Sequence, residues 1–595
     1  MTAPAETQRT HMPGVDAMRG LIALIGMFFH ANIVVFKTGF FFVDTFGILS
    51  AYLITSILLV EFERKGRINF KNFYLRRARR LLPAMFLALV LVVIGTGILY
   101  PDALHDLRGQ VLAVLGYGYN WYAIVTGVSY FTQFTLMPLQ HLWTLSLEEQ
   151  FYLIWPVLLV LLLVKFRLKL KTVAWVILAL AGASLAYSYV VYAGFGRDLY
   201  TSTISFAGRD VNRLLYYYMG TFTRAGSFLI GGALAILWRP EKMKPLSGRQ
   251  IRLVDALGVL SLAALIVLTN AQWFVTDYHR LAMAYLTPVV WITGSLLIMA
   301  LTRSDTRAVN AILVHKPLIR FGQLSYFLYL LHWAVYQFIR EFPNKAVTYP
   351  QLLVSSVFMI TAAEISMRTF EAPIREKGFT WWLGAMKKPV RYAVVAVMAV
   401  GTLTAAGMLV TAKPSAGDLE SSLGTIEPIA ENSVSKTLGV GDSVMRLSYR
   451  QLAEAGVAVD VVFNRSMNEA LETAGYLIEN GKVTETVILH AGQDDIITKD
   501  ELRGFLARTE GLERVVLVTL HRYDWDKMEA NNEAIRAMLD EFPNVVVADW
   551  NTVAVANSEM YLLGDGIHTT PAGSKAYAEL LLKAMRAQPG SLVTP

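Results

Sequence analysis

Two short pieces near the end of the sequence, Gly439-Val440-Gly441-Asp442-Ser443 and Asp565-Gly566-Ile567-His568, supply the three groups that an activated hydroxyl requires. Ser443 would attack, His568 would take its proton, and Asp565 would orient the imidazole. A helix-capping serine and an unrelated surface Asp/His turn are the bland alternative. A second set lies in apolar surroundings far upstream. His30 closes one apolar run and Asp44 opens the next. An ionisable group within lipid is costly enough to mark a site by default, although a histidine anchoring a helix end at the membrane interface fits the same pattern. Arg76-Arg77-Ala78-Arg79-Arg80 places guanidinium forks just before a third run, which suits a phosphate-bearing carrier or equally a basic flank on lipid phosphates. In His141-Leu142-Trp143-Thr144-Leu145-Ser146-Leu147-Glu148-Glu149, two carboxylates stand at the mouth of a long apolar run, and helical spacing puts Glu148 on the face of Thr144. Ser325, Tyr329 and His332 or Trp333 share a face of another run, and Thr223-Arg224 opens one more.

The elements that must position these groups follow from composition. The chain has 595 residues, 54% of them hydrophobic, and a mean hydropathy of +0.43, too apolar for one soluble domain. Apolar runs at about 17–36, 40–60, 82–99, 145–165, 171–193, 224–238, 251–269, 281–300, 323–340, 348–368 and 392–411 give eleven expected spans. The first residues carry no basic region leading to a cleavable apolar core, so the first span is expected to stay in the protein. Arginine and lysine collect in alternate loops, including Lys165–Lys171, Arg239–Arg252 and Lys387–Arg391. That places the N-terminus inside and everything after the last span outside. The fairly apolar stretch 107–127 would break the alternation as a full span and is expected to lie at the outer surface or dip into the membrane, a true span there being the alternative if another of the eleven is not one. There is no cysteine, which excludes disulfides, thiol nucleophiles and cysteine metal sites. The excess of 54 Lys+Arg over 46 Asp+Glu is explained by its loops and needs no nucleic acid.

Residues 412–434 read as a linker rich in Ser, Gly, Pro, Thr and Glu. Beyond it, strand-like segments at Thr437–Val440, Val457–Phe463, Glu485–His490, Arg514–Thr519 and Asn544–Ala548 alternate with helical ones at Leu447–Glu454, Met467–Asn480, Lys499–Thr509, Asp526–Glu541 and Pro571–Gln588. Such alternation predicts a three-layer α/β fold on a parallel sheet. The expected organisation is a membrane domain over 1–380, an eleventh span with its flank over 381–411, the linker, and an extracytoplasmic domain over 435–595.

In order and spacing, Arg19, His30, the segment Phe41–Ala51 with Asp44 and Ser50, the arginine loop, His141–Tyr152, Thr223-Arg224, Ser325–Trp333 and Phe370-Glu371-Ala372-Pro373 resemble the membrane-bound type-three acyltransferase family. The resemblance covers about residues 12–380. It implies a cytosolic acyl-CoA donor near Arg76, Arg77 and Arg80, an acyl-handling histidine or base at His30, and a reaction chamber supported by Arg19, Asp44, Glu148, Arg224 and Tyr329. The outer segment resembles the SGNH hydrolase and transferase family over about 436–588. By that alignment Asn464 and Gln493-Asp494 stand at the blocks that ordinarily supply oxyanion donors, and Trp525 at a position of less defined role. Asp494 departs from the usual amide, and an ionised carboxylate there would repel an oxyanion; either Gln493 substitutes, or Asp494 is protonated, or the outer module is slow, reprogrammed or mainly substrate-binding.

The combination implies a polytopic α-helical membrane domain followed by a three-layer α/β SGNH-like domain. The implied reaction is O-acylation, with acetyl-CoA or another acyl-CoA as donor and no metal. The acceptor is a hydroxyl of an extracytoplasmic glycan or glycolipid at a bacterial plasma membrane, reached through His30 and a Ser443 acyl-enzyme. Three rivals stand beside it: direct transfer in the membrane chamber with the outer domain as glycan-binding or esterase module, a transporter of lipid-linked sugar or organic anion, and a surface esterase anchored by eleven spans.

Overall fold

The structure, a computed structural model, describes residues 12–127, 136–193, 203–270, 286–340, 346–412, 434–461, 465–493, 496–522, 528–562 and 566–594. The chain divides into two compact units, Met1–Lys413 and Pro414–Pro595.

The first unit is helical. Its principal helices are α1 (Pro13–His30), α2 (Phe42–Lys65), α3 (Phe70–Leu99), α4 (Leu104–Leu115), α5 (Tyr119–Thr126), α6 (Trp143–Val160) and α7 (Leu170–Ala193). They continue with α8 (Arg213–Met219), α9 (Thr221–Leu237), α10 (Gly248–Leu268), α11 (Thr287–Leu301), α12 (Lys316–Ile339), α13 (Tyr349–Ser366) and α14 (Lys388–Thr411). Among the described residues, eight helices are long and apolar enough to cross a membrane, and the protein is a multi-pass membrane protein. The remaining apolar runs lie in α1, α11 and α12. Of these α11 has only 15 residues, whereas α1 carries Asp16 and Arg19 and α12 carries Arg320 and His332.

The stretch 107–127 is broken into α4 and α5, neither of span length. Helix directions agree with its not crossing. Gly20 meets Gly322 and His30 meets His332, so α1 and α12 run side by side in the same sense. Asp44 meets Arg224 and Ile48 meets Gly231, so α2 and α9 do the same. A crossing between residues 104 and 126 would reverse both pairs. The α1–α12 approach is close: a Cβ on Gly322 would sit 1.8 Å from the Asp16 carbonyl oxygen. Only a residue without a side chain allows two backbones this near. The unforeseen hairpin of β1 (Thr203–Phe206) and β2 (Arg209–Asn212) precedes α8.

The second unit carries β3 (Ser435–Gly441), β4 (Val457–Val461), β5 (Val483–His490), β6 (Arg514–Val518), β7 (Val545–Ala548) and β8 (Leu592–Val593) in the order β4-β3-β5-β6-β7-β8, all parallel. Apolar side chains of Met467–Glu479, Lys499–Leu506 and Met528–Glu541 cover one face. Val444, Met445, Trp550 and Tyr577 belong to the core on the other, so the domain has three layers. The sheet order reverses at β3. In open α/β sheets the crevice at the carboxyl ends of strands beside such a reversal is where ligands bind, and Ser443 follows the end of β3. The expected helix Leu447–Glu454 is two pieces, Ser443–Leu447 and Tyr449–Glu454, separated by Ser448, whose hydroxyl bonds the Ser574 carbonyl at 3.0 Å.

Candidate active sites

In the first unit the polar side chains gather at two depths. At the end of α1, the His30 Nδ1 lies 2.7 Å from the His332 Nε2 on α12. His141, just before α6, completes a cluster of three imidazoles, its ring centre 5.1 Å from that of His332 and 6.4 Å from that of His30. The Tyr329 carbonyl accepts from both His141 Nε2 (2.8 Å) and His332 Nδ1 (2.9 Å), and the Tyr329 hydroxyl lies 2.6 Å from Thr144 Oγ1. The Trp333 ring stands edge-on to His30 at 4.9 Å, while Arg340 donates to the His30 carbonyl. His141 and His332 are buried and His30 is half-buried.

Glu148 lies seven residues beyond His141, which at the helical rise is about 10 Å along the axis. There Glu148, Ser50 and Tyr152 are joined by hydrogen bonds. The Arg77 guanidinium carbon sits 3.5 Å from the centre of the Tyr152 ring. Arg77 Nε and Nη2 are buried with no hydrogen-bond partner among the described residues, as is Glu149 Oε1. Arg80 is within charge range of Arg19, Arg77 and Glu148, and Arg19 donates to Ser325 Oγ at 3.3 Å. Spacing of three puts Arg77 and Arg80 on one face of α3. Arg76 faces elsewhere: it is exposed and pairs with Glu61 at 3.4 Å. Asp44 and Arg224 form a buried pair at 2.9 Å, with Arg224 Nε also donating to the Tyr218 carbonyl at 2.8 Å. This pair fastens α2 to α9.

In the second unit, Ser443 opens the short helix after β3 and Asp442 caps it, accepting from the Val444 N–H at 2.9 Å. His568 precedes the helix Pro571–Ala584, itself capped by Thr570. Ser443 Oγ lies 2.7 Å from His568 Nε2, both side chains buried. The Ser448–Ser574 bond described above ties the end of the Ser443 helix to the helix that follows His568. Beneath them, His490 at the end of β5 lies 2.7 Å from the Tyr577 hydroxyl and 3.2 Å from Gln493 Nε2. An amide nitrogen can only donate, so Gln493 directs an N–H to His490, while its Oε1 has no partner among the described residues. Burial pushes Asp442 up to about 7 and pulls His490 down to about 3. Arg465 donates to the carbonyls of Gly441 and Asp460 and pairs with the Asp460 carboxylate, joining the ends of β3 and β4. Asp565, Asn464, Asp494 and Trp525 lie outside the described residues.

Ser443 therefore meets His568, His30 enters a histidine cluster, and Glu148 shares a polar layer with Arg77, Arg80 and Arg19. The roles of His141, His332, His490 and Tyr577 went unassigned from sequence. For the first two a signal existed, because a histidine flanked by tryptophan inside an apolar run is costly unless partnered.

A family model described as an acyltransferase domain matches residues 12–367. Peptidoglycan O-acetyltransferase OatA of Listeria monocytogenes is 30% identical over 97% of this chain and 98% of its own length. O-acetyltransferase OatA of Staphylococcus aureus is 28% identical over 97% of this chain and 96% of its own. Among solved structures, the C-terminal catalytic domain of Streptococcus pneumoniae peptidoglycan O-acetyltransferase A, carrying a methylsulfonyl adduct, covers 26% of this chain and 94% of that one, with 23% identity and a TM-score of 0.24.

Proposed function

The chain belongs to the type-three acyltransferase family, whose model spans residues 12–367, and from that premise we propose that it carries an acetyl group from cytosolic acetyl-CoA to hydroxyls of extracytoplasmic peptidoglycan. The acceptor follows from the Listeria relative, which is named for peptidoglycan and matched over nearly all of both chains. The orientation follows from the basic loops, which put the N-terminus and the arginine loop in the cytosol and residues 435–595 outside. Arg77 suits an anionic donor, since its buried Nε and Nη2 have no partner among the described residues and such groups favour a ligand that supplies oxygen acceptors; Arg80 shares its helix face, whereas Arg76 is turned to Glu61. His30 receives the acyl group or acts as the base that frees it, and the group then passes outwards.

The reading of the last step is carried by the 2.7 Å contact between Ser443 and His568. Ser443 Oγ bonds to the acyl carbon while its proton moves to His568 Nε2, and the delivering group departs with that proton. A glycan hydroxyl then yields its proton to His568 and attacks the acyl-serine, and Ser443 Oγ leaves reprotonated by His568. This is a two-stage exchange on one serine. Asp565 is proposed to orient His568, with Asn464 and Gln493 as oxyanion donors.

The test is capture of labelled acetyl in vesicles whose arginine loop faces acetyl-CoA and whose outer unit faces peptidoglycan fragments. Label on Ser443 in the wild type, absent from His30→Ala and Ser443→Ala, is the expected result. Acceptor acetylation that survives Ser443→Ala but not His30→Ala, with no serine label, would place the final transfer in the membrane chamber instead.

A further inference from the structure

We propose that His332 is a positioning residue that keeps the proton of His30 on Nδ1 and so leaves the Nε2 lone pair of His30 for the acyl group. The inference rests on the reading in which His30 handles that group.

The hydrogen-bond directions follow from valence. His332 Nδ1 lies 3.1 Å from the Leu328 carbonyl and 2.9 Å from the Tyr329 carbonyl. Carbonyl oxygens only accept, so Nδ1 carries the hydrogen. In a neutral ring the other nitrogen, Nε2, then has the lone pair. That nitrogen faces His30 Nδ1 at 2.7 Å, so the hydrogen between the rings belongs to His30. Its own Nε2 is the basic, nucleophilic nitrogen. The opposite arrangement requires a second hydrogen on His332 and hence an imidazolium beside the Arg340 guanidinium, which already bonds the His30 carbonyl. His141 is held in the same manner: its Nε2 donates to the Tyr329 carbonyl at 2.8 Å, and its buried Nδ1 has no partner among the described residues. One backbone carbonyl, that of Tyr329, thus fixes the hydrogens of two imidazoles, and through His332 that of the third.

The same register sets the contact. The pairs Gly20–Gly322 and His30–His332 are each 302 residues apart, so the tight glycine crossing of α1 and α12 delivers the two rings to each other about three turns further along. A histidine tautomer set by its neighbour is a familiar orienting device in acyl-transfer sites, and the wrong tautomer costs up to about 10⁴-fold in rate.

The experiment uses the full chain in lipid vesicles, as wild type, His332→Leu and His332→Gln. Leucine removes the acceptor for the His30 hydrogen, whereas the glutamine carbonyl restores one. Nitrogen-15 spectra of histidine-labelled protein, with His30 identified by its loss in His30→Ala, report the tautomer without any acyl donor. The expected result is hydrogen on Nδ1 of His30 in the wild type, a mixed population in His332→Leu, and recovery in His332→Gln. Transfer of labelled acetyl from acetyl-CoA is expected to fall about 100-fold in His332→Leu and to return in part in His332→Gln. A wild-type His30 protonated on Nε2, or a His332→Leu protein with unchanged tautomer, would overturn the proposal. Wild-type protein that has the expected tautomer but transfers nothing from acetyl-CoA would instead count against the donor assignment and leave the positioning role standing.

Discussion

Replacing Asp442 by Asn should change how the stability of the outer unit responds to pH, because two buried groups beneath Ser443 pull in opposite directions. His490 is held down to about 3 by burial, against about 6.5 in an unfolded chain. The native state therefore resists a proton that the unfolded state accepts. The stability this group contributes is complete above pH ~6.5 and is lost as pH falls towards 3, by about 1.4 kcal/mol per unit. Asp442 is pushed up to about 7 by burial, against about 3.9 unfolded. Its contribution is complete below pH ~3.9 and is lost as pH rises towards 7, at the same rate. Between pH ~4.5 and ~6 the two slopes cancel. Asn caps a helix as well as Asp but does not titrate, so Asp442→Asn leaves the His490 slope alone. A fragment covering residues 434–595, unfolded in urea, should show the difference in stability between variant and wild type growing by about 2 kcal/mol in favour of the variant from pH 4.5 to 6.0. A difference that stays constant over that range would mean that Asp442 is ionised in the native domain, and the reasoning would fail.

The bundle and the sites offer further checks. Removing one member of the buried pair, by Asp44→Ala or Arg224→Ala, should cost about 3–5 kcal/mol, read as a lower denaturant midpoint in detergent, with the double variant less affected than either single variant. Arg77→Gln should raise the KM for the acyl donor at least tenfold, whereas Arg76→Gln, whose side chain is exposed and paired with Glu61, should change it little; equal effects in an acetyl-transfer assay would contradict the inward placement of Arg77. At Gly492, φ is +89° and an added Cβ would lie 3.0 Å from the Met467 Cβ. Gly492→Ala should therefore destabilise the outer unit by more than about 1 kcal/mol, seen as a lower midpoint of the 434–595 fragment.

Periodicity and charge made the helices and strands legible, since burial in lipid and burial in a parallel sheet each impose a long, uniform pattern. Short local motifs could also be read: Ser443 at a strand end and His568 before a helix each carry their setting in the neighbouring residues, and although 125 residues apart they meet at 2.7 Å. The three imidazoles were a different problem. His30, His141 and His332 come from three separate stretches, and nothing near any of them in sequence says which will touch. Their meeting depends on the α1–α12 crossing, which is set by two glycines that a one-dimensional reading treats as unremarkable apolar positions. β8 has two residues and no period, and the split of Arg76 from Arg77 and Arg80 depends on how α3 is rotated. The glycines therefore belong with the site as much as the histidines do. Gly322→Val should push α1 off α12, since even one Cβ there would lie 1.8 Å from the Asp16 carbonyl. Because the atom met is backbone, the cost is at or above the upper end of the about 1–3 kcal/mol of ordinary overpacking, and in the protein that does assemble a shift of about 1 Å at His30 is enough to lower transfer about 100-fold. Assembled Gly322→Val protein with wild-type acetyl transfer would show that the His30–His332 contact is not what the crossing is for.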